Sequence, residues 1–244
     1  MSGSPSQLAR NKTNWQRRVR RCLNKVREGS REWSEAQSEG LRAANGVAND
    51  LVLLQTLLVQ DRSVTKALDD LEKAGEDGKL VGLRAATVAR LKERLKDGAD
   101  EISRVVENLR ESLKLLRAGR EDLHSDHGMN SLGLEASASK RLMSEQPVYW
   151  TVAPNAYLKK VDSVLASYEK EMEAKAAVNA FFQELVTSIH DEDTDTKAFL
   201  KDHADADRVK VHLVVWMLEP ELDLQSLEDL EDLYNKENKL CKVY

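Results

Sequence analysis

Mostly apolar side chains recur every three or four residues along two long stretches of this sequence, and this spacing restricts the fold more than any other feature. The first stretch contains Trp15, Val19, Cys22, Val26, Trp33, Gln37, Gly40, Ala44, Val47, Leu51, Leu54 and Leu58. The second contains Val88, Leu91, Leu95, Ile102, Val105, Leu109, Leu113, Leu116 and Leu123. Such steps place the residues of each stretch on one side of an α-helix. We predict an all-α fold based on a long antiparallel helical hairpin or bundle with coiled-coil-like packing over residues 13–124.

The remainder of the chain divides by composition and periodicity. Residues 1–12 are predicted to form a disordered tail, and residues 125–148, rich in Ser, Gly and Ala, a long flexible loop. Residues 149–236 regain helical periodicity, and we predict helices that pack on the hairpin, the first of them capped by Asn155. Residues 237–244 are predicted to be a tail.

Two local patterns leave alternatives open. Gly29, Gly40 and Gly46 weaken the first helix and predict either a kink or a close helix crossing. The run "VKVHLVVW", residues 209–216, is the only one that alternates like a strand, although a helix is favoured.

Charge is unevenly distributed along the chain. Residues 1–27 carry basic side chains and no acid, whereas residues 219–232 carry acidic side chains and no base. This polarity favours either docking to partners of opposite sign or pairing of the chain's own two ends. The sequence has only two cysteines, no apolar secretory segment and no apolar run of membrane-spanning length. We therefore expect a cytosolic or nuclear protein that does not enter a membrane.

The sequence contains no convincing catalytic or metal-binding pattern. His124 and His127 are three residues apart, as metal ligands on a helix can be, but they lie at a helix end, where histidine complements the dipole. "DEDTDT" resembles a calcium loop, yet Thr196 stands where the turn glycine is needed, so an acidic helix-capping turn is favoured. We predict no catalytic residue, no metal and no cofactor.

Four arginines form a candidate partner-binding face near the N-terminus: Arg17, Arg18, Arg20 and Arg21. On a helix they lie opposite Val19 and Cys22, as a phosphate-binding face requires. Aromatic residues do not alternate with them, apart from Trp15. A solvated face or a patch for an acidic protein is therefore favoured over nucleic acid.

Two further candidate contacts lie in or beside the predicted loop. Pro147 and Pro154 restrict the backbone around Tyr149 and Trp150, which reduces the entropy cost of presenting these aromatic side chains to a partner. Closure of the helical bundle by Trp150 is the alternative interpretation. Leu142 lies in "KRLM", a short pattern like those that cyclins bind.

Several motifs follow one another in an order that resembles the cyclin-dependent kinase 2-interacting protein family. They are "NW" at 14–15, "AANGVANDL" at 43–51, "PVYWTV" at 147–152, the Tyr168, Lys170 and Glu171 pattern, and "HLVVWMLEPEL" at 212–222. The resemblance covers residues 13–60 and 147–222, and the loop and tail are longer than expected for the family.

The resemblance implies a non-enzymatic helical adaptor in the nucleus, with the cytoplasm as a second location. Its partners are then a second helical adaptor and a chromatin-associated AAA+ ATPase, in an assembly linked to DNA replication, genome maintenance and large ribosomal subunit maturation. A cyclin- or kinase-docking protein of the cell cycle and DNA damage checkpoint is the first alternative. A nucleic-acid-binding protein that uses the basic N-terminal helix is the second.

Overall fold

The computed structural model describes residues 5–60, 78–124, 152–191, 195–203 and 206–243. All regular structure in these ranges is helical, with no strand, which confirms the predicted all-α class. The helices are α1 (Pro5–Gln55), continued by a π-helical turn (Thr56–Gln60), α2 (Gly78–His124), α3 (Pro154–His190), α4 (Thr196–His203), α5 (Ala206–Leu218) and α6 (Leu224–Val243).

The helices form two compact units. The first unit comprises Met1–Ser34, Leu109–Glu171 and Glu221–Tyr244, and the second comprises Glu35–Asn108 and Met172–Pro220. The long helices α1, α2 and α3 therefore each supply residues to both units.

In the first unit, α1 and α2 pack closely and run in opposite directions. A Cβ atom added to Gly29 would lie 3.0 Å from the Ser112 carbonyl oxygen, and one added to Gly119 would lie 3.1 Å from the Cys22 carbonyl oxygen. The apolar core then extends to α3, where the Tyr168 ring meets Trp33 edge to face with ring centroids 5.0 Å apart. These helices bury the predicted stripes, including Trp15, Val19, Cys22, Val26, Leu113, Leu116, Leu123, Val161 and Leu165.

Helix α6 completes the first unit by burying Leu230 and Tyr234 and by forming ion pairs with α1 and α3. Arg27 Nε lies 3.0 Å from Glu231 Oε1, and Lys160 Nζ lies 3.1 Å from Asp229 Oδ2. Both pairs are partly exposed, so each stabilises the fold by less than about 1 kcal/mol. They show that one acidic segment of the C-terminal region pairs with a basic residue of α1, as one of the two charge interpretations predicted.

In the second unit, α2 again runs antiparallel to α1, and it runs antiparallel to α3 as well. Arg94 Nη2 lies 2.8 Å from Asp50 Oδ1, and Gln183 Nε2 donates to the Ala99 carbonyl oxygen at 2.8 Å. Lys92 Nζ donates to the Ile189 carbonyl oxygen at 2.7 Å. The core of this unit contains Ala44, Val47, Leu51, Leu54, Leu91, Leu95, Ile102, Phe182, Leu185, Ile189, Leu200 and Trp216.

The predicted helix ends required correction. α1 begins at Pro5, so residues 5–12 are helical and not a disordered tail, because proline suits the first helical turn and good helix formers follow it. α6 likewise continues to Val243, through residues predicted to be a tail. α3 begins at Pro154, again a proline at the first position, so Asn155 is not its cap.

Two open alternatives are also decided. Residues 209–216 are helical within α5, because an apolar run buried on one side of a helix imitates strand alternation over a short window. Gly29 and Gly40 lie at close helix crossings, whereas nothing lies within 4 Å of a Cβ added at Gly46. The loop predicted at 125–148 lies outside the described residues.

Candidate interaction surfaces

Helix α5 is fixed in the second unit by its inner side. Trp216 is fully buried, and its Nε1 donates to the Gln37 carbonyl oxygen at 3.3 Å. The side chains of Gln37 and Lys175 both donate to the Trp216 carbonyl oxygen, and Lys175 also donates to that of Val215 at 3.3 Å. Trp216 is therefore part of the core of this unit.

Further along the same inner side, α5 contacts an aromatic side chain of α3. The His212 ring stacks on Phe181 with centroids 3.7 Å apart and an interplanar angle of 4°. The Arg208 guanidinium lies 5.6 Å from the centre of the Phe181 ring. The next residue in the sequence, Val209, is buried. Val209, His212 and Trp216 therefore define the inward side of the helix, with the exposed Arg208 at its edge.

The opposite side of α5 carries large apolar side chains that face solvent. Val211, Val214, Met217 and Leu218 are 59%, 44%, 53% and 63% exposed. Steps of three and four place these residues on one side of the helix, which we call the α5 apolar face. A contiguous exposed apolar patch on a protein commonly marks a contact with another molecule.

The α5 apolar face was not predicted from the sequence. The run "VKVHLVVWML" is apolar on nearly every side, so periodicity alone does not separate its buried residues from its exposed ones. The signal that could have found it was the spacing of seven between Val209 and Trp216, which defines the inner side and leaves Val211, Val214 and Leu218 opposite.

The predicted arginine cluster is placed on α1 in the first unit, and its members differ in environment. Arg17, Arg20 and Arg21 are exposed, whereas Arg18 is half-buried and its guanidinium lies 5.3 Å from the centre of the Trp15 ring. Arg18 therefore helps cover the core around Trp15, which is 6% exposed. The other three arginines, together with the exposed Asn14 and Asn24 on the same side, form what we call the α1 basic face.

The other predicted contact residues remain untested. Tyr149, Trp150 and Leu142 lie outside the described residues, so their roles stay predictions. The same holds for His127, and the side chain of His124 is not described either.

The residues considered for calcium have a structural role where they are described. Asp195 Oδ1 accepts hydrogen bonds from the backbone N–H groups of Lys197 at 3.0 Å and Ala198 at 3.3 Å, which caps α4. This is the capping role that the sequence favoured. Within the described ranges, no group of three or more His, Cys, Asp or Glu side chains is arranged to hold a metal ion.

Cys22 lies in the core and not in a reactive environment. Burial, and secondarily the negative charge of Asp122, raise the pKa of its thiol to about 12. A thiol that keeps its proton in this way is a poor nucleophile.

One surface cleft in the first unit, of about 430 Å³, has a lining that includes Arg117, Arg120, Asp162 and Glu169. These side chains pair with each other, Arg117 with Glu169 at 2.9 Å and Arg120 with Asp162 at 2.5 Å. The cleft is therefore a seam between α2 and α3 in which these four charges already form two ion pairs.

Comparison with known proteins gave no match: no protein-family model, no curated protein and no solved structure is significantly similar to this chain. None of the helices in the described ranges combines the length and the apolar character that crossing a membrane requires.

Proposed function

We propose that this chain is a non-enzymatic helical adaptor that binds other protein subunits through the α5 apolar face. The observation that carries the proposal is the contrast between the two sides of α5. One side is fixed by Trp216, His212 and Val209, while the other exposes Val211, Val214, Met217 and Leu218. Exposed Val, Leu and Met in this arrangement suit a second amphipathic helix, whose apolar side chains fit between them.

The proposed identity of the complex and of its other subunits rests on the resemblance of the sequence motifs to a known family. It makes the chain a nuclear subunit of a chromatin-associated AAA+ ATPase assembly, with a second helical adaptor as its neighbour. One of the resembling motifs, "HLVVWMLEPEL", contains Val214, Met217 and Leu218 of the α5 apolar face. Residues 212–222 thus support the proposal in two ways: their sequence resembles the family motif, and three of their apolar side chains on α5 are exposed.

The experiment is affinity capture from nuclear extract with the full chain carrying Val214→Glu and Met217→Glu. A charge buried in an apolar interface is strongly unfavourable, so we expect recovery of the AAA+ ATPase and the second adaptor to fall at least about tenfold. Quantitative mass spectrometry measures the recovery, and far-UV circular dichroism with a thermal melt verifies that the helices are retained.

The matched control carries Ala177→Glu and Ala180→Glu on the exposed side of α3. It adds the same two charges at the same spacing within the same unit, so capture should stay at the wild-type level. Unchanged capture by the α5 variant, or an equal loss in the control, would contradict the proposal.

A further inference from the structure

The α1 basic face presents exposed guanidinium groups that no carboxylate of the described residues neutralises. Among the described residues, no carboxylate lies within 4.0 Å of Arg17, Arg20 or Arg21, whereas Arg94, Arg104, Arg117 and Arg120 all have such a partner. The first acidic residue along the sequence is Glu28, one full turn beyond Asn24. This part of α1 is therefore a concentrated positive surface on one side of a helix.

The chain's own acidic segment is already engaged elsewhere. In α6, Glu231 pairs with Arg27 and Asp229 pairs with Lys160. Tyr234 packs against Arg27 as well, with the guanidinium 5.7 Å from the ring centre. The contact between α1 and α6 therefore involves Arg27 and not the α1 basic face. Because the described acidic residues of α6 do not pair with that face, it is available to a separate anionic partner.

The sequence alone favoured a solvated face or a patch for an acidic protein here, whereas the residues that the structure exposes on this face fit phosphate better. Its exposed members are arginine and asparagine side chains, and phosphate oxygens accept hydrogen bonds from both residue types. It carries no exposed large apolar or aromatic side chain, because Trp15, Val19 and Cys22 are buried on the other side of α1. A protein interface needs a desolvated apolar or aromatic anchor, which this face lacks.

The absence of an exposed aromatic residue on this face also distinguishes between forms of nucleic acid. Proteins that prefer single strands stack bases on aromatic side chains, and the indole of Trp15 is covered by Arg18. The arginines at 17, 20 and 21 instead lie within about 6 Å of one another along α1, a spacing suited to successive phosphates.

We propose that the α1 basic face binds the phosphate backbone of a nucleic-acid duplex, without reading its base sequence. This inference is independent of the adaptor function, because it depends on Arg17, Arg20 and Arg21 in the first unit and not on α5 in the second.

The test measures binding of the full chain to a fluorescent duplex DNA of about two helical turns, across a salt series from about 50 to 200 mM. The wild-type association constant should fall linearly with salt concentration on a double-logarithmic plot. The variant Arg17→Gln, Arg20→Gln, Arg21→Gln should bind about tenfold more weakly or worse at low salt. Its slope should be shallower by about 3, since each lost phosphate contact removes about 0.9.

The matched control is Arg42→Gln, Arg90→Gln, Lys96→Gln, which removes the same charge from exposed positions of α1 and α2 in the second unit. Its slope should equal that of the wild type. Equal slopes for both variants would overturn the proposal, because binding would then follow net charge alone.

Three competitors complete the test. Duplex RNA should compete as well as duplex DNA, because both present phosphates, and a single strand should compete no better than either. Polyglutamate at the same charge concentration should compete more weakly. Stronger competition by the single strand, or equal competition by polyglutamate, would overturn the duplex assignment, the latter in favour of an acidic protein.

Discussion

At the scale of single residues, environment and not residue type determines what the conspicuous side chains do. Cys22 and the four arginines from 17 to 21 occupy one short stretch of α1, yet Cys22 is fully buried, Arg18 covers Trp15, and the other three arginines face solvent. Periodicity predicted the burial of Cys22. It did not separate Arg18 from the other arginines, because the contact with Trp15 depends on the side-chain conformation of Arg18.

The buried thiol of Cys22 gives a pH prediction. Its pKa is raised from 9.0 to about 12 in the folded chain, so the unfolded chain loses this proton first as pH rises. The unfolded state then binds fewer protons than the folded state, and the free energy of unfolding falls between about pH 9 and 12. The slope contributed by this one group is at most about 1.4 kcal/mol per pH unit.

Denaturant titrations at about pH 8 and about pH 10.5 measure this decline. Cys22→Ala is the control, since it removes the ionising group: it should be less stable at both pH values and show a smaller decline between them. An equally steep decline in the alanine variant would assign the pH dependence to other groups.

At the scale of elements, the stripes of α1 and α2 predicted both the helices and their buried sides, because a three-and-four apolar spacing sustained over many turns suits a helix and no strand. Helix ends were predicted less well. α1 begins at Pro5, inside the stretch predicted to be a tail, and α3 begins at Pro154, one residue before the predicted cap. Proline is unfavourable in a helix interior but suits the first helical turn, so it marked these two helix starts.

The glycines of α1 give a prediction about helix crossings. A Cβ added at Gly40 would lie 2.7 Å from Trp216 Cε2 and 2.9 Å from Val105 Cγ1, so α5 and α2 both approach α1 closely there. Gly40→Ala should therefore destabilise the fold by about 1–3 kcal/mol, because neither the buried indole nor Val105 can move away easily.

Gly46→Ala is the matched substitution on the same helix, with nothing within 4 Å of the added atom. It should stabilise the fold by about 0.5–1 kcal/mol through helix propensity alone. Thermal melts of the two variants should therefore shift in opposite directions, and shifts of the same sign would contradict the crossing.

At the scale of the whole molecule, each unit carries one candidate surface. The first unit has the α1 basic face, whose arginines the sequence analysis grouped on one helix together with Arg18. The second has the α5 apolar face, which the sequence did not predict, because exposure of an apolar helix depends on which neighbours cover it. The mid-chain segment with Leu142, Tyr149 and Trp150 lies outside the described residues, so its proposed contacts stay predictions.

The exposed α5 apolar face predicts how the purified chain behaves without its partners. Val211, Val214, Met217 and Leu218 are each 44% or more exposed, so we expect reversible, concentration-dependent self-association driven by their burial. Sedimentation velocity over a range of concentrations measures it. Val214→Glu with Met217→Glu should keep the chain monomeric, whereas Ala177→Glu with Ala180→Glu should not; a wild-type chain that stays monomeric throughout would contradict this prediction.

The contacts of Lys175 have a consequence for how α5 meets another molecule. Lys175 is fully buried, and its Nζ holds the carbonyl oxygens of Val215 and Trp216 in the last turn of the helix. A rotation of α5 about its axis would break these bonds, so the angle at which Val214 and Met217 project outward is set before any encounter. In the proposed complex, α5 would therefore bind as a preformed, rigid element, and little ordering entropy would be lost on binding.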